Sequence, residues 1–311
     1  MRILFLGSGA LACPALRVLR ARTADALVGV VTAPDRPGGR RLRMTSCPVK
    51  ALAESEGLPV WTPEKISDPS VVAELAARSP DVAVVAAYGQ FLKPNLLAVP
   101  RVATINIHPS LLPKYRGAAP VAWAIARGET ETGVTVLHVT PAMDAGDMIV
   151  QERVPIRDDD TAETLEPRLA ELGAALLDRA LDLLVSGRAP RIPQDPAGVT
   201  FAPKLTKEDG RIDWLWPAAE LRNRVRAFQP WPGSRTEFPA GSGRGLRVLE
   251  ASVAEGRGEP GEILRADAGG LVVAAGRDAV DLRVLQPEGR RPMSGTDFVN
   301  GRRPRRGERM G

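Results

Sequence analysis

The sequence predicts an α/β fold: a domain built on a parallel sheet covered by helices, followed by a small C-terminal β domain, an OB-like barrel or else a sandwich. Three observations predict it. Through the first 190 or so residues, apolar runs of four to seven residues alternate with helical patterns, the order expected of a sheet covered by helices. A stretch rich in Gly, Pro and Arg (GRAPRIPQDPAGVTFAP) then follows, and it suits neither helix nor strand. Beyond it, short β-like runs are separated by Gly-rich turns, the spacing of a small barrel.

Taken in order, the strands are expected at Arg2 to Leu6, Leu27 to Thr32, Val60, Val82 to Ala86, Val102 to His108 and Gly133 to Val139. The clearest helix runs from Ala162 to Ser186, where Leu165, Leu169, Leu172, Leu176, Leu177, Leu181 and Leu184 recur at steps of mostly three and four residues. Gly187 stops it. In the second domain strands are expected at Arg247 to Val253, Glu262 to Arg265, Leu271 to Ala275 and Ala279 to Leu285, with one helix near Ala218 to Phe228. The domains are thus residues 1–187 and 205–311, joined by a linker over 188–204.

Composition narrows the function classes. A chain of 311 residues with 44% hydrophobic and 25% charged residues has enough apolar side chains for a core and is not disordered. Its net charge of +5 suits an anionic partner, although 36 arginines against 6 lysines is a skew that a GC-rich genome produces as readily. Cys13 and Cys47 have neither the number nor the spacing of a disulfide scaffold or a zinc site, which points to reduced thiols and the cytoplasm. No run reaches the roughly 18 apolar residues of a membrane span. The apolar N-terminus imitates a signal peptide, but Gly7-Ser8-Gly9 breaks it and its removal would delete the first strand.

Three motifs carry chemistry or imitate it. Gly7-Ser8-Gly9-Ala10-Leu11-Ala12 sits between a strand and a helix like a dinucleotide fingerprint. The acidic residue expected after the second strand is replaced by Thr32-Ala33-Pro34, so a tight turn is the better reading. In Asn106-Ile107-His108-Pro109, alternation along a strand puts Asn106 and His108 on one face. Pro109 ends the ladder there, so both side chains stand at the carboxyl end of a strand, where open α/β sheets bind ligands. Met143-Asp144-Ala145-Gly146-Asp147 follows the next strand and delivers a carboxylate within reach of His108. His138 lies mid-strand with no carboxylate at metal spacing and reads as structural.

Together these segments resemble the folate-dependent formyltransferases, whose sites carry Asn-x-His-x-Ser-Leu-Leu-Pro and an Asp in an Asp-x-Gly-Asp turn. Further resemblance lies in Pro34-Asp35-Arg36-Pro37, Ser46-Cys47-Pro48-Val49-Lys50, Ala87-Tyr88-Gly89, Glu131-Thr132-Gly133-Val134-Thr135, Arg211-Ile212-Asp213-Trp214 and Pro230-Trp231-Pro232. The resemblance implies a Rossmann-like N-terminal domain with an OB-like C-terminal β-barrel, 10-formyltetrahydrofolate as formyl donor, no metal, and Asn106, His108 and Asp144 as the catalytic residues. It also implies that Ser110, Leu111, Leu112 and Pro113 line the folate site.

Such a triad fits formyl transfer to an amine, where an oxyanion and a protonated nitrogen both need partners. It does not choose the amine. The loop from Asp35 to Lys50 carries Arg36, Arg40, Arg41, Arg43 and Lys50 against Asp35 alone, a local charge of +4 that suits phosphate contacts. In the branch of the family that formylates an aminoacyl-tRNA this loop reaches the acceptor stem. The expected partner is therefore a charged initiator tRNA, with no membrane and no obligate protein partner. An amino-sugar nucleotide acceptor, or a non-enzymatic RNA- or dinucleotide-binding module, is the alternative. The arginines at 302, 303, 305, 306 and 309 form a second basic segment that would extend an RNA track.

Overall fold

The computed structural model describes residues 1–38 and 43–311. The chain divides into two compact units. The first comprises residues 1–120, 131–155 and 166–203; the second comprises 121–130, 156–165 and 204–311.

A seven-stranded sheet forms the centre of the first unit. Its strands are β1 (Arg2–Gly7), β2 (Ala26–Val31), β3 (Val60–Trp61), β4 (Val82–Ala86), β5 (Ala103–His108), β6 (Glu131–His138) and β7 (Met148–Pro155). They lie in the order β7-β6-β5-β4-β1-β2-β3. The five strands from β5 to β3 are parallel, as expected of apolar runs buried on both faces. The sheet is nevertheless mixed: β6 runs antiparallel to both β5 and β7. Edge strand β7, with the polar run Gln151-Glu152-Arg153 exposed, has no apolar alternation to announce it.

Both faces of the sheet are covered. Leu4 and Leu6 of β1 point into a cluster with Ile66, Leu75 and Leu96, so Ile3 and Phe5, also buried, face the other side. On β5 and β6, a Cβ on Gly173 would stand 2.8 Å from Ile107 Cγ2 and 3.6 Å from Val134 Cγ1. The helix Ala162–Val185 therefore lies against those strands, with Gly173 giving the close approach. In the glycine turn after β1, the amides of Ser8 and Gly9 both donate to Ala87 O, at 3.2 and 3.3 Å. They are engaged by the protein's own backbone, in keeping with a tight turn rather than a phosphate cradle.

The second unit carries an antiparallel sheet of β8 (Ser234–Glu237), β9 (Gly245–Ala254), β10 (Ile263–Asp267), β11 (Gly270–Ala274), β12 (Ala279–Pro287) and β13 (Met293–Ser294). The order is β8-β9-β12-β11-β10, with β13 on β12. Trp214, Leu221, Val248, Ile263, Leu282 and Phe298 belong to its core. The last residues join the two edge strands. Gly307 N donates to Ile263 O at 2.9 Å and Ile263 N to Glu308 O at 2.8 Å, while Glu237 and Gly311 exchange bonds of 2.9 and 3.1 Å. The barrel-like form thus depends on the tail, whose arginines at 302, 303, 305, 306 and 309 stay exposed while its backbone is held.

Candidate active site

Strand β5 ends at His108 because Pro109 has no N–H to continue the ladder. Asn106 and His108 lie on one face, as the alternation requires; Asn106 is half-buried and His108 is 4% exposed. After β6 the chain makes a loop over residues 140–147, closed by His138 N donating to Asp147 O at 2.9 Å. The loop brings Asp144 onto the Asn106/His108 face. Asp144 adopts φ = 48°, the left-handed region that Asp tolerates better than most side chains.

The three predicted side chains meet. Asn106 Nδ2 donates to Asp144 Oδ1 at 3.3 Å, and His108 Nδ1 lies 3.6 Å from Asp144 Oδ2. The same Oδ2 accepts the backbone N–H of Gly117 at 2.9 Å, which fixes the carboxylate against the strand Arg116–Gly117. Gly117 is at φ = +127°, and a Cβ there would stand 2.5 Å from Ala202 O. Only glycine serves at this position.

His108 Nε2 is 2.9 Å from Tyr115 O. A carbonyl oxygen only accepts, so Nε2 carries a hydrogen and the neutral ring leaves Nδ1 bare, facing the carboxylate. A proton arriving at Nδ1 would meet Asp144 on one side while Tyr115 O holds the other. Asn106 donates one amide hydrogen to Asp144 and retains a second. The site therefore offers one oriented N–H donor and one proton acceptor side by side.

The Ser110–Pro113 loop is stiffened from within. Ser110 Oγ donates to Lys114 O at 2.7 Å, and Thr135 Oγ1 donates to Ser110 O at 2.7 Å. Leu112 N donates to Thr135 Oγ1 at 3.2 Å, and Gln151 Nε2 donates to Leu112 O at 2.9 Å. Ser110 and Leu112 are buried, whereas Leu111 and Pro113 are half-buried and keep accessible apolar faces. In another segment of the resemblance, the Tyr88 hydroxyl is buried with no hydrogen-bond partner among the described residues, and its burial pushes the phenol well above the usual range.

The basic loop is described only in part. Arg40 and Arg41 lie outside the described residues, as does the side chain of Arg43. Arg36 and Lys50 sit at its base and both are ion-paired: Arg36 to Glu64 at 2.7 Å, Lys50 to Asp35 at 2.8 Å. The Arg36 pair is exposed and easily exchanged for another anion. Lys50 is more enclosed, and its ammonium is held protonated by the Asp35 carboxylate.

His138 and Thr104 line a cleft of about 230 Å³ with Asp147 and Arg191. Burial holds the His138 imidazole below its usual range, so it stays neutral, as a structural histidine does. Among the described residues no helix is long and apolar enough to cross a membrane.

One residue of this neighbourhood has no counterpart in the motifs. Gln194, from the stretch read as a linker, donates through Nε2 to Asp144 O at 2.7 Å and Gly146 O at 2.8 Å. No local pattern marks it. Its position follows from the path of the chain, which pairs Ile192 with Met148 and Phe201–Ala202 with Arg116–Gly117.

A largely parallel sheet with polar groups gathered at one strand's carboxyl end, in a chain that also carries a second, antiparallel unit, agrees with family comparison. The chain belongs to the formyl transferase family: residues 1–181 match the formyl transferase model and residues 204–303 match the model of the formyl transferase C-terminal domain. Its curated relatives include methionyl-tRNA formyltransferases along the whole length. That of Geobacter sulfurreducens is 43% identical, covering 100% of this chain and 97% of its own. That of Anaeromyxobacter dehalogenans is 46% identical, covering 98% of each.

Solved structures share the fold at lower identity. HypX from Aquifex aeolicus in complex with tetrahydrofolic acid matches with a TM-score of 0.60 and 21% identity, over 96% of this chain and 47% of that one. The N-formyltransferase from Helicobacter canadensis in complex with folinic acid and dTDP-3-aminofucose matches with a TM-score of 0.63 and 15% identity, over 91% and 99%.

Proposed function

We propose that this protein transfers the formyl group of 10-formyltetrahydrofolate to the α-amino group of methionyl-tRNA, with the charged initiator tRNA as acceptor, in the cytoplasm. The observation that carries the reading is the meeting of Asn106, His108 and Asp144 at the end of β5, in a chain 43% to 47% identical to methionyl-tRNA formyltransferases. The donor supplies a formyl carbon open to attack by an amine. Related structures in complex with tetrahydrofolic or folinic acid support a folate in that role.

Each residue then has one task. The free amide hydrogen of Asn106 stabilises negative charge on the formyl oxygen, an effect worth about 2.7–4 kcal/mol per donor in acyl-transfer sites. His108 Nδ1 takes the proton that the amine nitrogen must lose, Asp144 with Tyr115 O holds the resulting imidazolium, and the proton passes to the departing folate nitrogen as its bond to the formyl carbon breaks. The amine itself is the nucleophile, so no covalent step on the protein is needed. Leu111 and Pro113 offer apolar surface for the folate rings, and the buried Tyr88 hydroxyl, in another segment of the resemblance, is unsatisfied among the described residues.

The purified protein, given 10-formyltetrahydrofolate and charged initiator tRNA, should produce formylmethionyl-tRNA and tetrahydrofolate in equal amounts. A protein that binds the folate yet leaves this tRNA unformylated overturns the reading. RNA binding by the basic loop has its own test. Changing Arg40, Arg41 and Arg43 together to glutamine should weaken tRNA binding and flatten the slope of log K against log salt by about 2 to 3, since each phosphate contact contributes roughly 0.7–0.9. An unchanged slope takes the loop out of the RNA site.

A further inference from the structure

Gln194 lies in a stretch whose composition announces nothing but a connection, yet it is only 9% exposed. Its amide group is fully used. Nε2 donates to the carbonyls of Asp144 and Gly146, at 2.7 and 2.8 Å, while Oε1 accepts from Nε and Nη2 of Arg116, at 3.0 and 2.7 Å. Two donors and two acceptor sites are all that a side-chain amide has. The neighbour of Arg116, Gly117, donates its N–H to the Asp144 carboxylate at 2.9 Å. Asp144 is thus gripped twice by one network, at its main-chain carbonyl by Gln194 and at its side chain by Gly117.

The grip falls where the backbone needs it. Asp144 sits at φ = 48°, a conformation that a side-chain-bearing residue keeps only when its surroundings hold it. Pairing of Ile192 with Met148 on one side of Gln194, and of Phe201–Ala202 with Arg116–Gly117 on the other, anchors the segment that presents the amide. We propose that Gln194 is a positioning residue for formyl transfer, which fixes the Asp144 loop so that the carboxylate stays registered on Asn106 and His108. This rests on the formyl-transfer reading above. Gln194 touches neither Asn106 nor His108 among its hydrogen bonds, so its action passes through Asp144.

The test is a set of steady-state measurements on the full-length protein carrying Gln194→Met, Gln194→Glu, Asp144→Asn, or Gln194→Met with Asp144→Asn. Methionine keeps the volume and loses every hydrogen bond; glutamate keeps an acceptor for Arg116 and loses both donors. Each single Gln194 variant should lower kcat by about 10- to 100-fold, the scale on which a displacement near 1 Å costs rate. KM for the folate and for the tRNA should stay within about twofold. In the Asp144→Asn background, Gln194→Met should cost less than about another twofold, because its effect runs through the group already removed. An equal multiplicative loss in both backgrounds, or an unchanged kcat in either folded single variant, overturns the proposal; glutamate supplies the test if the methionine variant does not fold. Failure of the parent reading looks different, with no formylation by the unmodified protein or full activity in Asp144→Asn, and it overturns both.

Discussion

Replacing His108 with alanine should lower kcat for formyl transfer by about 10³-fold while KM for either substrate changes by less than about threefold. In the proposed reaction the ring receives the amine proton: Nε2 is committed to Tyr115 O, and Nδ1 faces the Asp144 carboxylate at 3.6 Å. Asn106→Ala should cost about 10²–10³-fold by removing the donor proposed to meet the formyl oxygen. Asp144→Asn should cost as much or more, since it removes the charge facing Nδ1 and places an amide beside the Gly117 N–H. Because the three side chains share Asp144, double substitutions should cost far less than the product of the single ones. Fully multiplicative losses in rapid-quench measurements would mean that they do not act as a unit.

Gly146→Ala is the second change with a large expected effect. A Cβ there would stand 1.8 Å from His138 O, 2.9 Å from His138 C and 3.2 Å from Thr140 Cγ2. Two of these neighbours are backbone, in the strand end that the loop closes upon, so no rotamer change relieves the overlap. The loop itself must shift, and it carries Asp144 two residues earlier. We expect a stability loss of about 1–3 kcal/mol in denaturant melts, typical of an overpacked site. Turnover should fall by about 10²-fold through displacement of the carboxylate. An alanine variant with the native midpoint and native kcat would show that the loop can move without disturbing the site.

Much of this arrangement was legible in the sequence because it depends on local chemistry. Alternation along a strand ended by Pro109 put Asn106 and His108 on one face, and the structure has them there. The helix beginning at Ala162 was readable from its leucine spacing, and it ends at Val185 just before Gly187. The short apolar runs from Arg247 onward gave four of the second unit's strands to within two residues or so, but not the short strands Ser234–Glu237 and Met293–Ser294.

What was not legible has physical reasons. The antiparallel edge strand β7 escaped because only its first residues are buried, leaving no period of two to read. The helix Gly295–Arg302 escaped because it buries little more than Phe298 and Val299. Its signal was there in Ser294 and Asp297: Ser294 Oγ accepts Asp297 N at 3.0 Å and donates to Asp297 Oδ2 at 2.8 Å. Gln194 left no signal, since a glutamine among prolines acquires a role only once the chain has folded back along β7 and Arg116–Gly117. Charge counting found a basic loop but not its pairing; Lys50 is bound to Asp35, its neighbour in space and not in sequence.

The measurement that tests the central claim most directly is a competition for one limiting pool of 10-formyltetrahydrofolate. Charged initiator tRNA, charged elongator methionine tRNA and an amino-sugar nucleotide would be present together at one salt concentration. The account predicts that the formyl group appears on initiator methionyl-tRNA well ahead of the elongator, with none on the sugar, and that Asp144→Asn lowers the rate of that product by about 10²-fold or more. Formyl transfer to the sugar nucleotide with both tRNAs untouched would contradict it.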